Sequence, residues 1–288
     1  MGDVGSTSAL RRAAITLCEA GVFPLVVVVP FEDDEARYHL AGRPVVFLHH
    51  DGDEPRELID SVRLGLSYLA DKCDRVVFTP VNCSTFAPST VGRLAAEEGD
   101  VVLPSYRGRS GHPVVVSCDA VDRVLSYRAP GGLAAALASF GDRRRWVEVD
   151  DPGVVGSVHD ACGDAGSLDA AIVRPVARLS LEREAPFFDD RTKLLLFLVA
   201  DTGNMRRACD MMGLSYGKGW DLVNRLEAVL GAKVVERSRG GRRGGTTRLT
   251  ETGERVLCSY QRFEERVSSG VRRVYADFLA EVGVSRDL

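Results

Sequence analysis

No stretch of this 288-residue sequence is apolar for long enough to span a membrane, and the run Val26 to Val29 is only strand-sized. The N-terminus lacks the basic-then-apolar pattern of a secretory signal. No Cys-x-x-Cys pair occurs. The seven cysteines (Cys18, Cys73, Cys83, Cys118, Cys162, Cys209, Cys258) are scattered and odd in number, which argues against a disulfide framework or a zinc site and for a reducing compartment. These absences predict a cytoplasmic protein with no membrane partner. What remains is ordinary for a globular chain, 45% hydrophobic and 27% charged, and long enough for two domains.

The net charge of -4 conceals an asymmetry. From Asp189 to the end there are 18 basic and 14 acidic residues, and between Arg206 and Arg248 there are 10 basic and 4 acidic. An acidic N-terminal part joined to a basic C-terminal part suits a protein with one end that meets phosphates.

The basic segment has a readable plan. Asn204 caps a short helix that Gly213 ends. Ser215 caps a second helix, whose Trp220, Val223, Leu226, Val229 and Leu230 fall at mostly helical spacing before Gly231 stops it. Two helices around a tight turn form a helix-turn-helix. Val234 and Val235 then open a strand, and a Gly-rich hairpin from Arg237 to Arg248 holds five arginines and no acidic residue. Glycines allow close backbone approach, and arginines bind phosphates or enter a groove. Helix pair, wing and charge together predict binding of double-stranded DNA. The start of the second helix, Ser215 and Tyr216, points toward the major groove, and Lys218 and Arg225 follow as phosphate or base contacts. Arg239, Arg242 and Arg243 are wing candidates for phosphate or the minor groove. Trp220 can be core or a stacking platform, and its spacing to Val223 and Glu227 favours core.

Three motifs in this region resemble the winged helix-turn-helix of the molybdate-responsive transcriptional regulators, relatives of the LysR type. They are Ser215-Tyr216-Gly217-Lys218-Gly219-Trp220, Gly240-Gly241-Arg242-Arg243-Gly244-Gly245 and Leu249-Thr250-Glu251-Thr252-Gly253. The resemblance runs from about Arg178 to Phe263. Gly217 departs from it, since relatives carry Ser or Lys there. The molybdate-binding domain that such regulators carry after the reader has no counterpart in the residues after Phe263.

The N-terminal part alternates helices and strands. Helices are expected over Ser8 to Ala20, over Leu58 to Leu69, from about Pro88, and over Gly131 to Ser139. Strands are expected over Pro24 to Val29, Pro44 to Leu48, Arg75 to Val81, Asp100 to Leu103, Pro113 to Val116 and Arg145 to Val149. That alternation predicts an α/β domain with a mainly parallel sheet, and ligands in such sheets bind at the carboxyl ends of strands. His49-His50 on a strand point apart and do not suit one metal, Glu32 to Glu35 reads as a solvated loop, and Asp150-Asp151-Pro152-Gly153 reads as a turn.

Four further stretches resemble the molybdenum-cofactor nucleotidyltransferases. They are Ser61 to Leu66, Thr79-Pro80-Val81-Asn82, Pro104 to Gly108 with Gly111-His112-Pro113, and Asp150 to Val154. Over about Ser8 to Leu168 this implies a Rossmann-like three-layer α/β/α domain. The family opens with a strand and a Gly-rich phosphate loop, and this chain starts at the following helix. Asn82 stands where the family has a metal-binding Asp, and Ser157 and His159 stand at the second acidic site, with Asp160 one residue out of register. A neutral amide does not supply the charge Mg²⁺ takes from a carboxylate. The expectation is a domain without catalytic residues, metal or cofactor, in which Arg63, Asn82 and His112 are ligand-contact candidates by family position. Arg63 reads equally as a surface helix charge, and His112 as a loop residue held by hydrogen bonds.

Tyr260, Phe263, Val267, Val271, Val274 and Phe278 recur at steps of three or four between Thr250 and Val282, as one long helix or two. This seam fits either packing on the winged domain or homodimerisation, which suits paired DNA half-sites. The expected plan is an α/β nucleotidyltransferase-like domain over 1–168 and a linker with the reader's first strand over 169–188. A winged helix-turn-helix over 189–250 and a C-terminal helix over 251–288 complete it. The expected function is a transcriptional regulator of molybdenum or molybdenum-cofactor genes, with a nucleotide or pterin as effector. The alternative is an active, Mg-dependent cytidylyl- or guanylyltransferase of the molybdenum cofactor that carries a regulatory reader.

Overall fold

The computed structural model describes residues 3–4, 7–29, 34–50, 57–156, 177–238 and 246–282. In chain order the first elements are β1 (Asp3–Val4), β2 (Thr7–Ser8), α1 (Ala9–Glu19), β3 (Leu25–Val29), α2 (Asp34–His39), β4 (Val45–His49), α3 (Leu58–Leu69), β5 (Arg75–Phe78) and α4 (Pro88–Ala96). They are followed by β6 (Val101–Tyr106), β7 (Arg109–Ser110), β8 (Val114–Ser117), α5 (Cys118–Ser126), α6 (Gly132–Ala138) and β9 (Arg144–Glu148). The C-terminal elements are β10 (Ser180–Glu182), β11 (Pro186–Asp189), α7 (Asp190–Thr202), α8 (Met205–Met211), α9 (Tyr216–Leu230), β12 (Val235–Ser238), β13 (Thr246–Leu249) and α10 (Glu251–Glu281). Contacts divide the chain into two compact units, residues 1–41 with 48–171 and residues 42–47 with 172–288.

In the first unit five strands form one sheet, β5-β8-β6-β7, with β9 on β6. Val76, Val101, Leu103, Val114 and Val116 face α3, α5 and α6, packing on Val62, Leu66, Val121, Val124 and Leu137. Helix α4 covers the other face, where Val91 and Leu94 are fully buried. This gives three layers. Each of these buried aliphatic side chains contributes about 1.5–3 kcal/mol relative to exposure.

The sheet is mixed, which differs from the mainly parallel expectation. Pairs β5–β8, β6–β8 and β6–β7 are antiparallel, and β6–β9 is parallel. The reason is local. Arg107 and Gly108 have φ of 51° and 75°, a turn with both central residues left-handed, so β6 folds straight back into β7 and β8. A buried run such as Val114-Val115-Val116 looks the same in either direction. The acidic stretch also differs: Asp34–His39 is helical, with Glu35 Oε1 3.6 Å from His39 Nε2 one turn on, while Glu32 and Asp33 lie outside the described residues. His49 and His50 have separate partners, Arg37 at 3.1 Å and Ser61 Oγ at 2.9 Å.

The second unit opens with the β10–β11 hairpin, in which Phe188 meets Tyr260 at 4.5 Å between ring centres. Of the segment 169–188 expected to hold the reader's first strand, Ser180–Glu182 is extended, and residues 169–176 lie outside the described residues. Helix α10 is one helix, begun by Thr250, whose hydroxyl accepts from Gly253 N–H at 3.1 Å.

Candidate nucleic-acid interface

The reading element is α9, and its ends are set by local chemistry. Ser215 Oγ accepts from Lys218 N–H at 3.3 Å at the start, and Gly231 takes a left-handed φ of 64° at the end. Helix α8 is capped likewise, with Asn204 Oδ1 accepting from Arg207 N–H at 3.1 Å. The two helices approach closely because residue 219 is glycine: a Cβ there would sit 2.3 Å from the buried Cys209 Sγ. Val223 and Leu226 hold α9 to the core, and Tyr216, Lys218 and Arg225 are exposed. Lys218 and Arg225 are two turns apart and share one face.

The wing is fastened to this helix at its base. The Glu227 carboxylate, buried at the end of α9, accepts from Val234 N–H at 2.9 Å, Val235 N–H at 3.4 Å and Lys233 Nζ. Burial works to raise its pKa, but the lysine and the two amides outweigh it and hold it below the ordinary glutamate value. Strands β12 and β13 then pair antiparallel, Glu236 opposite Arg248 and Arg237 opposite Thr247. Thr247 N–H donates to Gly203 O at 2.8 Å, and Thr250 Oγ1 donates to Lys233 O at 2.7 Å. The Leu249 to Gly253 motif is thus structural: it caps α10 and brings Gly253 against Val234 O, where a Cβ would come within 2.2 Å.

Four side chains form a ladder across α8, α9 and the wing. The Arg206 guanidinium lies 4.9 Å from the Tyr216 ring centre, Tyr216 and Trp220 meet edge-on at 6.1 Å, and Arg237 lies 3.3 Å from the Trp220 ring centre. Each contact of this kind is worth about 0.5–2 kcal/mol and fixes a guanidinium whose N–H groups remain available for phosphate. Trp220 is half-buried and stacked, which differs from the core reading its spacing favoured. Arg206 and Arg237 were not singled out from sequence, although both belong to the basic stretch; only the tertiary stacking distinguishes them. Arg239, Arg242 and Arg243 lie outside the described residues.

The ligand candidates of the first unit are not brought together by any shared hydrogen-bond partner. Arg63 donates to Tyr127 O and sits 3.5 Å from Asp60 Oδ1, with its Nε buried and unpartnered. His112 donates its backbone N–H to Val154 O at 2.8 Å; burial lowers its imidazole pKa, and its buried Nδ1 has no partner among the described residues. Asn82 is exposed, 3.8 Å from Cys83 Sγ, and is one of the residues lining a cavity of about 640 Å³. It offers a divalent cation one neutral amide oxygen. Asp151, the nearby buried carboxylate, is occupied by Ala87 N–H at 2.8 Å, Thr90 Oγ1 at 2.6 Å and Gly153 N–H at 2.9 Å. The described residues do not fit an Mg²⁺ site there. Ser157, His159 and Asp160 lie outside them.

A winged helix-turn-helix following a three-layer α/β/α domain defines the class. Residues 2–149 match the family model of the MobA-like NTP transferase domain, and residues 193–254 match that of the bacterial regulatory helix-turn-helix protein, lysR family. The chain belongs to the MobA-like NTP transferase domain family and carries a lysR-type helix-turn-helix after that domain. Among curated proteins it is similar to the molybdenum-pterin-binding protein MopB of Rhodobacter capsulatus, 33% identical over 118 residues, 40% of this chain and 39% of the relative. It is also similar to the molybdenum transport protein ModE of Azotobacter vinelandii, 31% identical over 102 residues, 35% of this chain and 38% of the relative. The DNA-binding transcriptional dual regulator ModE of Escherichia coli is 34% identical over 74 residues, 26% of this chain and 28% of the relative. The chain spans less than half the length of these relatives. Among solved structures, a nucleotidyl transferase from Methanothermobacter shares the fold, with TM-score 0.50 and 20% identity over 58% of this chain and 83% of that one. Among the described residues, no helix is long and apolar enough to cross a membrane.

Proposed function

We propose that this protein is a DNA-binding transcriptional regulator of molybdenum-related genes. The observation that carries the reading is the ladder Arg206–Tyr216–Trp220–Arg237, which holds two stacked guanidinium groups across α8, α9 and the wing, with Lys218 and Arg225 exposed on another flank of α9. Ser215 and Tyr216 at the helix start enter the major groove, and Arg239, Arg242 and Arg243 extend the wing's charge toward phosphate or the minor groove. The relatives named for molybdenum and for DNA binding support the subject of the regulation. The protein acts as a homodimer, with the exposed Phe263, Val274 and Phe278 of α10 in the contact. The nucleotidyltransferase-like domain is the sensor or dimerisation platform, since Asn82 gives it no carboxylate for a metal, and its effector is a nucleotide or a pterin.

Fluorescence anisotropy with DNA from the protein's own upstream region tests this reading. Affinity well above that for a random duplex, shifted by an added nucleotide or pterin, is expected. Equal affinity for both duplexes would remove the regulator reading, and Mg²⁺-dependent pyrophosphate release from CTP or GTP with molybdopterin would remove the non-catalytic one.

A further inference from the structure

Strand β9 runs along β6 at one edge of the five-stranded sheet, and among the described residues no strand lies beyond it. Its backbone groups alternate between two sides. Val149 N–H donates to Ser105 O at 2.8 Å, so Arg145, Val147 and Val149 turn their N–H and C=O toward β6. Arg144, Trp146 and Glu148 turn theirs away from it. The Arg144 N–H is taken by Gly141 O in the preceding turn. Arg144 O, the N–H and C=O of Trp146 and the N–H of Glu148 have no backbone partner among the described residues.

The side chains of these three residues share one face of the strand. Trp146 is 47% exposed, with the Arg144 guanidinium 5.8 Å from its ring centre. Glu148 is exposed and is held by Arg107 N–H, which donates to its Oε1 at 2.7 Å. Charges on an edge strand usually keep copies apart. Here they are of opposite sign and stand at equal distances from Trp146, Arg144 before it and Glu148 after it. A second β9 laid antiparallel, with Trp146 opposite Trp146, therefore sets each Arg144 against the other copy's Glu148. A register centred on Arg145 would instead set that arginine against itself, so charge selects the first.

We propose that β9 pairs antiparallel with β9 of a second copy of this chain, about a two-fold axis at Trp146, and joins two sheets into one. Trp146 N–H of each copy donates to Trp146 O of the other, and Glu148 N–H of each donates to Arg144 O of the other. The two indole rings are cross-strand neighbours at the centre, and an Arg144–Glu148 ion pair closes each end. The strand has five residues, and a contact of that length covers less than the about 1,200 Å² of a stable interface. It therefore forms at high protein concentration, or between chains already held together elsewhere, and it is separate from the α10 seam.

Hydrogen exchange of the full chain, dilute and concentrated, tests this. The Trp146 and Glu148 amides should exchange freely in dilute protein and about tenfold more slowly in concentrated protein, while Val147 and Val149, which face β6, stay slow in both. Arg144→Glu sets carboxylates against each other and should abolish the slowing. Arg144→Glu/Glu148→Arg exchanges the charges and should restore it. Unfolding temperatures check that both variants fold. If the double variant does not, Trp146→Pro serves in its place: it removes an N–H that faces away from β6 and should leave Glu148 exchange fast at every concentration. Exchange independent of concentration would overturn the proposal, as would slow exchange already in dilute protein, which would mean that a segment of the same chain covers the edge. A folded double variant without restored protection would overturn the register and the proposal with it. The readout lies on β9, so these outcomes are the same whether or not α10 pairs.

Discussion

The Arg237 guanidinium lies 3.3 Å from the centre of the Trp220 ring, joining the wing strand to the reading helix. This stack does two things at once. It fixes the angle between β12 and α9, and it holds a guanidinium at the edge of the reading surface. Arg237→Ala is expected to weaken binding to every DNA sequence by about tenfold and to lower the salt dependence by about one phosphate contact. Trp220→Leu leaves the charge in place, so anisotropy titrations should show a near-normal salt dependence with weaker binding. A Trp220→Leu protein that binds as tightly as the natural one would remove the stack's role.

How much of this was readable beforehand follows the range of the interactions involved. Asn204, Ser215, Gly213 and Gly231 were legible because capping and left-handed turns are decided within four residues. The Arg206 and Arg237 stacks were not, because they join residues on three elements and leave no spacing signal. In the first unit the strands themselves were legible from apolar runs. Their directions were not, since the left-handed turn at Arg107-Gly108 sets them. The resemblance carried the domain plan, and Asn82 stood out only against it.

The contact of Gly219 with Cys209 predicts a paired result. Gly219→Ala drives a methyl to within 2.3 Å of a fully buried sulfur, and should cost about 1–3 kcal/mol in urea unfolding of the protein. Removing that sulfur in Gly219→Ala/Cys209→Ala should recover most of the loss. Additive damage in the double variant would show that Cys209 is not the obstacle.

Glu264 sets a pH dependence. Burial and the neighbouring Asp190 carboxyl raise its pKa from 4.5 to about 7, against the pull of Lys193 at 2.7 Å. A folded-state pKa above the unfolded one means that the folded form keeps a proton the unfolded form releases. Stability from this group is therefore present below pH 4.5 and lost as pH rises to about 7. Between pH 5 and pH 7.5 the natural protein should lose on the order of 1–3 kcal/mol more than Glu264→Gln in denaturant unfolding. Parallel pH profiles for the two would remove the assignment.

The exposed Val274 and Phe278 on α10, at 64% and 52% of full exposure, predict the oligomeric state. Val274→Asp/Phe278→Asp should shift the protein from dimer to monomer in sedimentation velocity, with little change in unfolding temperature, because neither side chain is buried within the chain. An unchanged sedimentation coefficient would place the dimer contact elsewhere or exclude it.

The most direct measurement is anisotropy with DNA from the protein's own upstream region across a salt series, comparing the natural protein with Arg206→Ala/Arg237→Ala. The account predicts affinity that falls steeply and log-linearly with salt, and a slope about two phosphate contacts shallower in the variant. Binding that is insensitive to salt, or identical slopes for the two proteins, would contradict it.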